Sequence, residues 1–431
     1  MLIATDAIFR IGAEILFLKS LFLIKRLTTN HSNFMKTKLS KHFKITVLFC
    51  LILLTACKAQ QKNEIIVGAN LMSEYLPLLK DKNVAIVGNQ TSLVKTSNKE
   101  YVHLVDTLLK RKVSVKKVFA PEHGFRGQAD AGEKVENGID KKTGLPIISL
   151  YGKNKKPSVE QLEHVDIMIF DIQDVGVRFY TYISTLHYIM EACAENKIPL
   201  IVLDRPNPNG DYIDGPILES EYKSFVGMHP VPVVHGLTIA EYAQMINDES
   251  WLSDNLKTDL RLIYMKNYNK DKKYEPPVPP SPNLPNYKAI RLYPSLCFFE
   301  GTNVSVGRGT DFPFQVFGAP FLPLQEYSFK FTPQPNAGAK YPKHKGKVCH
   351  GKKLDLSLHE KINLSHLIKA YKNAPQHTEF FNDFFNKLAG NEKLQHKIKQ
   401  NKSAEDIYKS WSDGLEKFKD VQNRYTHYSK D

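Results

Sequence analysis

Four short apolar runs, each rich in β-branched residues, recur through the first half of the chain, and each stops at a cluster of polar side chains. Val84-Ala85-Ile86-Val87 ends in Gly88-Asn89-Gln90, and the run from Val113 to Phe119 ends in Glu122, His123 and Arg126. The run from Asp166 to Phe170 ends in Asp171, Gln173 and Asp174, and Leu200 to Leu203 ends in Asp204, Arg205 and Asn207. A shorter run, Pro146 to Leu150, lies between the second and third, and helical patterns cover 99–111 and 183–196. Strand–helix alternation of this kind predicts an α/β chain: a Rossmann-like parallel sheet with helices on both faces. Parallel strands all point one way, so the four polar clusters must gather along one edge, where open α/β sheets bind ligands. Taken singly, each cluster is also explained as a turn or helix cap, where Asn, Asp, Ser and Gly are favoured. Glu122 and Asp171 resist that explanation, because an acid directly after a buried run is costly unless it is paired or used.

The beginning of the chain reads differently. From Met35 it runs MKTKLSKHFK, then ITVLFCLILL, then Thr55-Ala56-Cys57. A basic stretch, a short apolar stretch and a small-residue site ending in cysteine form a lipoprotein signal. The apolar part is too short to span a bilayer, for which about 20 residues are needed. Residues 1–57 are therefore expected to be a signal region, with 1–34 an over-extended start. Cys57 is expected to become the acylated first residue, tethering an exported protein to the cell envelope, on its periplasmic or outer-membrane face. The leader to residue 56 carries eight Lys/Arg and two Asp/Glu, so the formal charge of +14 falls to +8 without it. That mildly basic surface holds no dense Lys/Arg block and no zinc-finger or helix-turn-helix spacing, so no nucleic-acid partner is expected. Cys193, Cys297 and Cys349 have no metal-type spacing and read as buried thiols.

Beyond the leader the length suggests two domains: 64–227, Rossmann-like and catalytic, and 228–431, a second, smaller α+β domain closing a cleft. Thr238 with Glu241 three residues on is a capping box opening a helix to Asn247, and Leu260 to Tyr264 is strand-like. The proline-dense EPPVPPSPNLP at 275–285 cannot be a helix or central strand and suits a fixed loop over a cleft. Residues 300–310, EGTNVSVGRGT, set Glu300, Asn303 and Arg308 among glycines that permit close backbone approach to a ligand. After about residue 325 the pattern turns lysine-rich and helical, with Trp411, Leu415 and Phe418 at core spacing. Gly124, Gly127 and Gly132 do not form a GxGxxG phosphate cradle, and the segment around Ser305 lacks the first glycine of a nucleophile elbow. No cofactor or metal is expected.

Six motifs in order, FAPEHGFRG (119–127), DIQDVGVRFYTY (171–182), DRPNPNG (204–210), HPVPVVHGLT (229–238), PPSPNLP (279–285) and EGTNVSVGRGT (300–310), resemble the NamZ-type exo-β-N-acetylmuramidases, once known only as a domain of unknown function. The resemblance runs from Gly88-Asn89-Gln90 to the region of Trp411. Asp211 departs from it, standing where another glycine is expected. It implies a glycoside hydrolase that releases N-acetylmuramic acid from the non-reducing ends of peptidoglycan fragments, with its site between a Rossmann-like and a smaller domain.

Such a reaction needs a protonated carboxyl for the leaving oxygen and a second carboxylate as base or nucleophile, unless the sugar's acetamido group serves as internal nucleophile. Glu122 is the expected acid. Glu133 is the first choice for its partner, Asp171 the second and Asp174 a third, with His123 orienting a carboxylate or binding the sugar. Muramic acid differs from glucosamine by a lactyl carboxylate, which a guanidinium fork reads best. Arg126, Arg178, Arg205 and Arg308 are the candidates. Tyr180, like Tyr182, suits stacking on a sugar face, and Gln90, Gln173, Asp174, Asn207, His235, Glu300 and Asn303 complete the expected contacts. A lipid-anchored binding protein for muramic-acid-containing wall fragments is the main rival, since it would share the cleft and the arginines. An amidase or esterase ranks third, lacking an activated nucleophile or metal signature.

Overall fold

Strand β1 (Asn83–Gly88) is buried on both sides and sits at the centre of a seven-stranded sheet. In the computed structural model, residues 64–126, 137–356, 361–376 and 378–429 are described. The expected signal region with Cys57, and Glu133, lie outside them. The other strands are β2 (Ser114–Ala120), β3 (Gly138–Ile139), β4 (Pro146–Ser149), β5 (Ile167–Asp171), β6 (Leu200–Leu203) and β7 (Leu260–Ile263), in the spatial order β3-β4-β2-β1-β5-β6-β7. All neighbours pair parallel except β3, an antiparallel edge of two residues.

Period-two alternation divides the sheet's side chains between two cores. Ala85, Val87, Phe119, Met168, Phe170, Leu200 and Val202 face one core, and Val84, Ile86, Val118, Ile167, Ile169, Ile201 and Leu203 face the other. Burial on both faces explains why these strands read as continuous apolar runs. Helices α1 (Leu104–Lys110), α2 (Tyr182–Glu195) and α3 (Ile239–Asp248) supply the cover: α1 packs in the second core, α2 and α3 in the first. The expected helix over 99–111 starts only at Leu104, because Tyr101–His103 pairs with Leu93–Lys95 as a hairpin. The capping box at Thr238 and Glu241 is present at the start of α3.

The sheet does not stop at residue 227. Strand β7 pairs with β6, so the sheet-bearing part runs well into the segment assigned to the second domain. The C-terminal end returns to it, where the Tyr428 hydroxyl donates to Asp204 Oδ2 at 2.7 Å and accepts from the Met265 amide at 2.6 Å. Residues from Ile65 onward form one compact unit. The smaller C-terminal domain carries a three-stranded antiparallel sheet of β8 (Val316–Ala319), β9 (Phe329–Phe331) and β10 (Cys349–Lys353), ordered β8-β10-β9. Two of its strands lie where the lysine-rich pattern suggested helix; Phe329-Lys330-Phe331 alternates at strand period and buries Phe331. Helices follow from Ser365 on, with Trp411 and Phe418 in the core and Leu415 packed against it.

Candidate active site

The four polar strand ends do meet, but only part of them opens into a cleft. Glu122 follows β2 in a tight turn closed by the Gly124 amide on the Pro121 carbonyl at 3.0 Å. His123 in that turn is buried and adopts φ +72°. A left-handed residue other than glycine costs on the order of 1 kcal/mol and persists where the surroundings over-determine it, commonly at a functional site. Both side chains line a cleft of about 270 Å³. Its lining is largely aromatic, with Phe179, Tyr180, Tyr182, Phe225, Tyr293 and Phe314, and Ser281, Asn283, Glu300 and Arg308 join it from the second half of the chain. The half-buried Glu122 carboxylate accepts a hydrogen bond from Thr181 Oγ1 at 2.9 Å. Tyr182 accepts from Asn89 Nδ2 at 2.9 Å and donates to the Pro280 carbonyl at 3.3 Å, so the end of β1 holds the proline-rich loop in place. Gln90 does the same through the carbonyls of Pro279 and Pro280, both at 3.2 Å, rather than lining the cleft.

The carboxyls expected to partner Glu122 have other placements. Asp171, at the end of β5, is fully buried and gripped by Arg205 Nε at 2.6 Å and Nη2 at 2.9 Å. This two-pronged pair fills the point where the sheet order reverses, which takes both residues out of the cleft. Burial alone would lower the Arg205 guanidinium, but the Asp171 carboxylate outweighs it and holds the arginine above its ordinary value. Asp174 is buried as well, its Oδ2 accepting from the Gly176 amide at 2.6 Å, and burial pushes its carboxyl up to about 7. Glu133 lies outside the described residues.

Two further arginines are committed internally. Arg126 binds Asp140 through Nε at 3.2 Å and Nη2 at 2.7 Å, and reaches Asp106 at 3.3 Å. Arg178, wholly buried, donates to the carbonyls of Pro216 and Val231 at 2.7 Å, Leu388 at 3.0 Å and Ala389 at 2.8 Å. It staples three distant segments together, and burial pushes it down to about 9. Arg126, Arg178 and Arg205, expected to bind substrate, thus have partners within the protein and do not line the cleft.

Other expected contacts are internal too. Gln173 Nε2 donates to the carbonyls of Asp174 and Pro206, and Asn207 Nδ2 to that of Leu237. His235 is buried against Tyr242, and desolvation lowers it to about 3, a neutral packing histidine. Exposed Asn303 donates its backbone N–H to the Phe380 carbonyl and its side-chain amide to that of Glu379, and does not line the cleft. Asp211 takes both arms of Arg291, at 2.5 and 2.9 Å, which accounts for a carboxylate in place of glycine. Thr181, Ser281 and Asn283 were missed by sequence reasoning; the first sits between the two tyrosines that were singled out, the others inside the proline-rich loop. Among the described residues no group of three His, Cys, Asp or Glu side chains is arranged to hold a metal ion.

Comparison with known proteins places this arrangement. The N-terminal and C-terminal profiles of the exo-β-N-acetylmuramidase NamZ match residues 84–288 and 291–428. The chain belongs to the NamZ exo-β-N-acetylmuramidase family. The peptidoglycan β-N-acetylmuramidase NamZ of Bacillus subtilis (strain 168) is 40% identical over 384 residues, covering 83% of this chain and 90% of that protein. Two crystal structures of DUF1343 family proteins from Bacteroides fragilis NCTC 9343 share the fold. One is 45% identical with a TM-score of 0.78 over 86% of this chain and all of its own, the other 27% identical with a TM-score of 0.72 over 85% and 99%. Membership in the NamZ family fits a cleft in which a carboxyl at a strand end faces aromatic walls suited to a sugar ring.

Proposed function

We propose that this chain is an exo-acting glycoside hydrolase that releases N-acetylmuramic acid from the non-reducing ends of peptidoglycan fragments. The observation that carries the reading is the placement of Glu122 in an aromatic-walled cleft, in a chain 40% identical to a peptidoglycan β-N-acetylmuramidase over most of both lengths. In the proposed reaction Glu122 gives its proton to the glycosidic oxygen as the bond to the anomeric carbon breaks, and water completes the exchange. Thr181 orients the Glu122 carboxyl, and Tyr180 and Tyr182 stack against the ring. Glu133 remains the proposed second carboxylate, because Asp171 is occupied by Arg205 and Asp174 is buried away from the cleft.

The motif ending in Cys57 supports export and a lipid anchor, so the proposed place of work is the cell envelope, with the membrane as partner through acyl chains. Mass spectrometry of a muramic-acid-ended disaccharide incubated with the protein tests the activity. Free N-acetylmuramic acid and the shortened sugar are expected. Tight binding of an unchanged disaccharide would instead favour a lipid-anchored binding protein.

A further inference from the structure

The aromatic side chains of the cleft differ in how much of them reaches solvent. Tyr180 and Tyr182 are 7% and 1% exposed, while Phe384, which lines the same cleft, is 38% exposed. A single apolar side chain open to water on a convex surface is ordinary. Phe384 differs because its ring shares a cavity with Glu122, so a ligand that fills the cavity would also cover the ring and gain the apolar area it buries.

The ring also stands on a fixed support. Phe384 opens the helix Phe384–Ala389, and its backbone N–H donates to Asn382 Oδ1 at 3.0 Å. The Asn382 N–H in turn donates to the Gly301 carbonyl at 3.0 Å. The next residue, Phe385, is buried with its ring 4.5 Å from that of Phe381, and its backbone passes so close to Gly301 that any Cβ there would collide with it. At the far end of the helix, buried Arg178 donates to the carbonyls of Leu388 and Ala389. The turn that brings Phe225 and Val226 into the cleft is a neighbour of the same helix, since a Cβ on Gly227 would lie 3.8 Å from the Lys387 carbonyl oxygen. A ring held in this way loses little freedom when a ligand stacks on it.

An exo-acting cleft takes the end of a chain: the terminal sugar enters first, against the buried tyrosines, and the sugar it is cut from trails toward solvent. Burial therefore orders the aromatic rings along the substrate. Resting on the glycosidase reading above, we infer that Phe384 is the platform for the leaving sugar, the N-acetylglucosamine that follows the terminal muramic acid, whose face of C–H groups stacks on the phenyl ring. The platform makes the enzyme prefer a muramic acid joined to a second sugar over one joined to a small leaving group.

The test compares the disaccharide of N-acetylmuramic acid β-linked to N-acetylglucosamine with β-N-acetylmuramyl fluoride, whose leaving group has no ring, on wild type, Phe384→Ala and Phe384→Tyr. Phe384→Ala is expected to lower kcat/KM for the disaccharide about 10-fold, the weight of a stacked ring and the area it covers, and to leave the fluoride nearly unchanged. Phe384→Tyr, which keeps the ring, should restore the disaccharide rate. Activity on the fluoride reports that each variant is folded. Equal loss on both substrates, or an alanine variant as fast as wild type on the disaccharide, would overturn the inference. Should wild type cleave neither, the proposed activity fails, and calorimetry with the disaccharide and with free N-acetylmuramic acid decides about Phe384: weakened binding of the disaccharide alone in Phe384→Ala supports the platform, and an unchanged ratio of the two affinities refutes it.

Discussion

The Thr181 hydroxyl donates a 2.9 Å hydrogen bond to Glu122, joining the residue ahead of α2 to the turn behind β2. The two residues are 59 positions apart in sequence, and each is on its own a surface-type side chain. Their meeting is a product of parallel topology: β2 and β5 flank β1, so the turn after one and the loop after the other open on the same edge. Thr181→Val keeps the shape of the side chain and removes the donor. It is expected to lower kcat about 10-fold, the cost of losing one hydrogen bond to a charged group, with little change in Tm, and Thr181→Ser is expected to restore the rate. A valine variant as fast as wild type would remove Thr181 from any positioning role.

Asp171 and Arg205 make a different prediction. Because both are buried and face each other, Asp171→Asn leaves a guanidinium with no carboxylate in the interior, a change that costs about 3–5 kcal/mol. Urea denaturation should show that loss as a lower midpoint with an unchanged slope. Stability equal to wild type would mean that the pair is not the buried ion pair described above.

A pH effect follows from Asp174. Burial holds its carboxyl at about 7, while in the unfolded chain it titrates near the ordinary value of about 3.9. Between those values the native state binds the extra proton, so this group's contribution to stability is full below about pH 4 and is lost as pH rises toward 7. Asp174→Asn should cancel that slope, so that the Tm difference between variant and wild type moves in the variant's favour from pH 4 to pH 8. A difference that stays constant over this range would contradict the raised value.

The sheet was legible in the sequence because its strands are buried on both faces and so read as unbroken apolar runs, with β1, β2, β5 and β6 starting and ending within a few residues of the patterns. The β9 and β10 strands were not, since Phe329-Lys330-Phe331 is half lysine-flanked surface and its pairing partner lies 18 residues or more away. For the cleft, sequence order located Glu122, His123, Tyr180, Glu300 and Arg308. It gave no means to separate Arg308 from Arg205 or Arg178, because a guanidinium's role is set by what folds against it: an aspartate across the sheet in one case, carbonyls from three distant segments in the other. Ser281 and Asn283 escaped notice for a related reason. The proline-rich segment read as a loop over a cleft, but its prolines gave no reason to single out these two side chains, which reach the cleft because Tyr182 and Gln90 tether the loop at Pro279 and Pro280.

The proposed role of Glu122 is to cleave a muramic acid glycoside in this cleft. It is tested most directly by following release of a chromogenic group from β-N-acetylmuramide beside β-N-acetylglucosaminide, with wild type and Glu122→Gln. Wild type is expected to turn over the muramide and little or none of the glucosaminide, and Glu122→Gln to lose muramide turnover while retaining sugar binding. A glutamine variant that hydrolyses the muramide at the wild-type rate would contradict it.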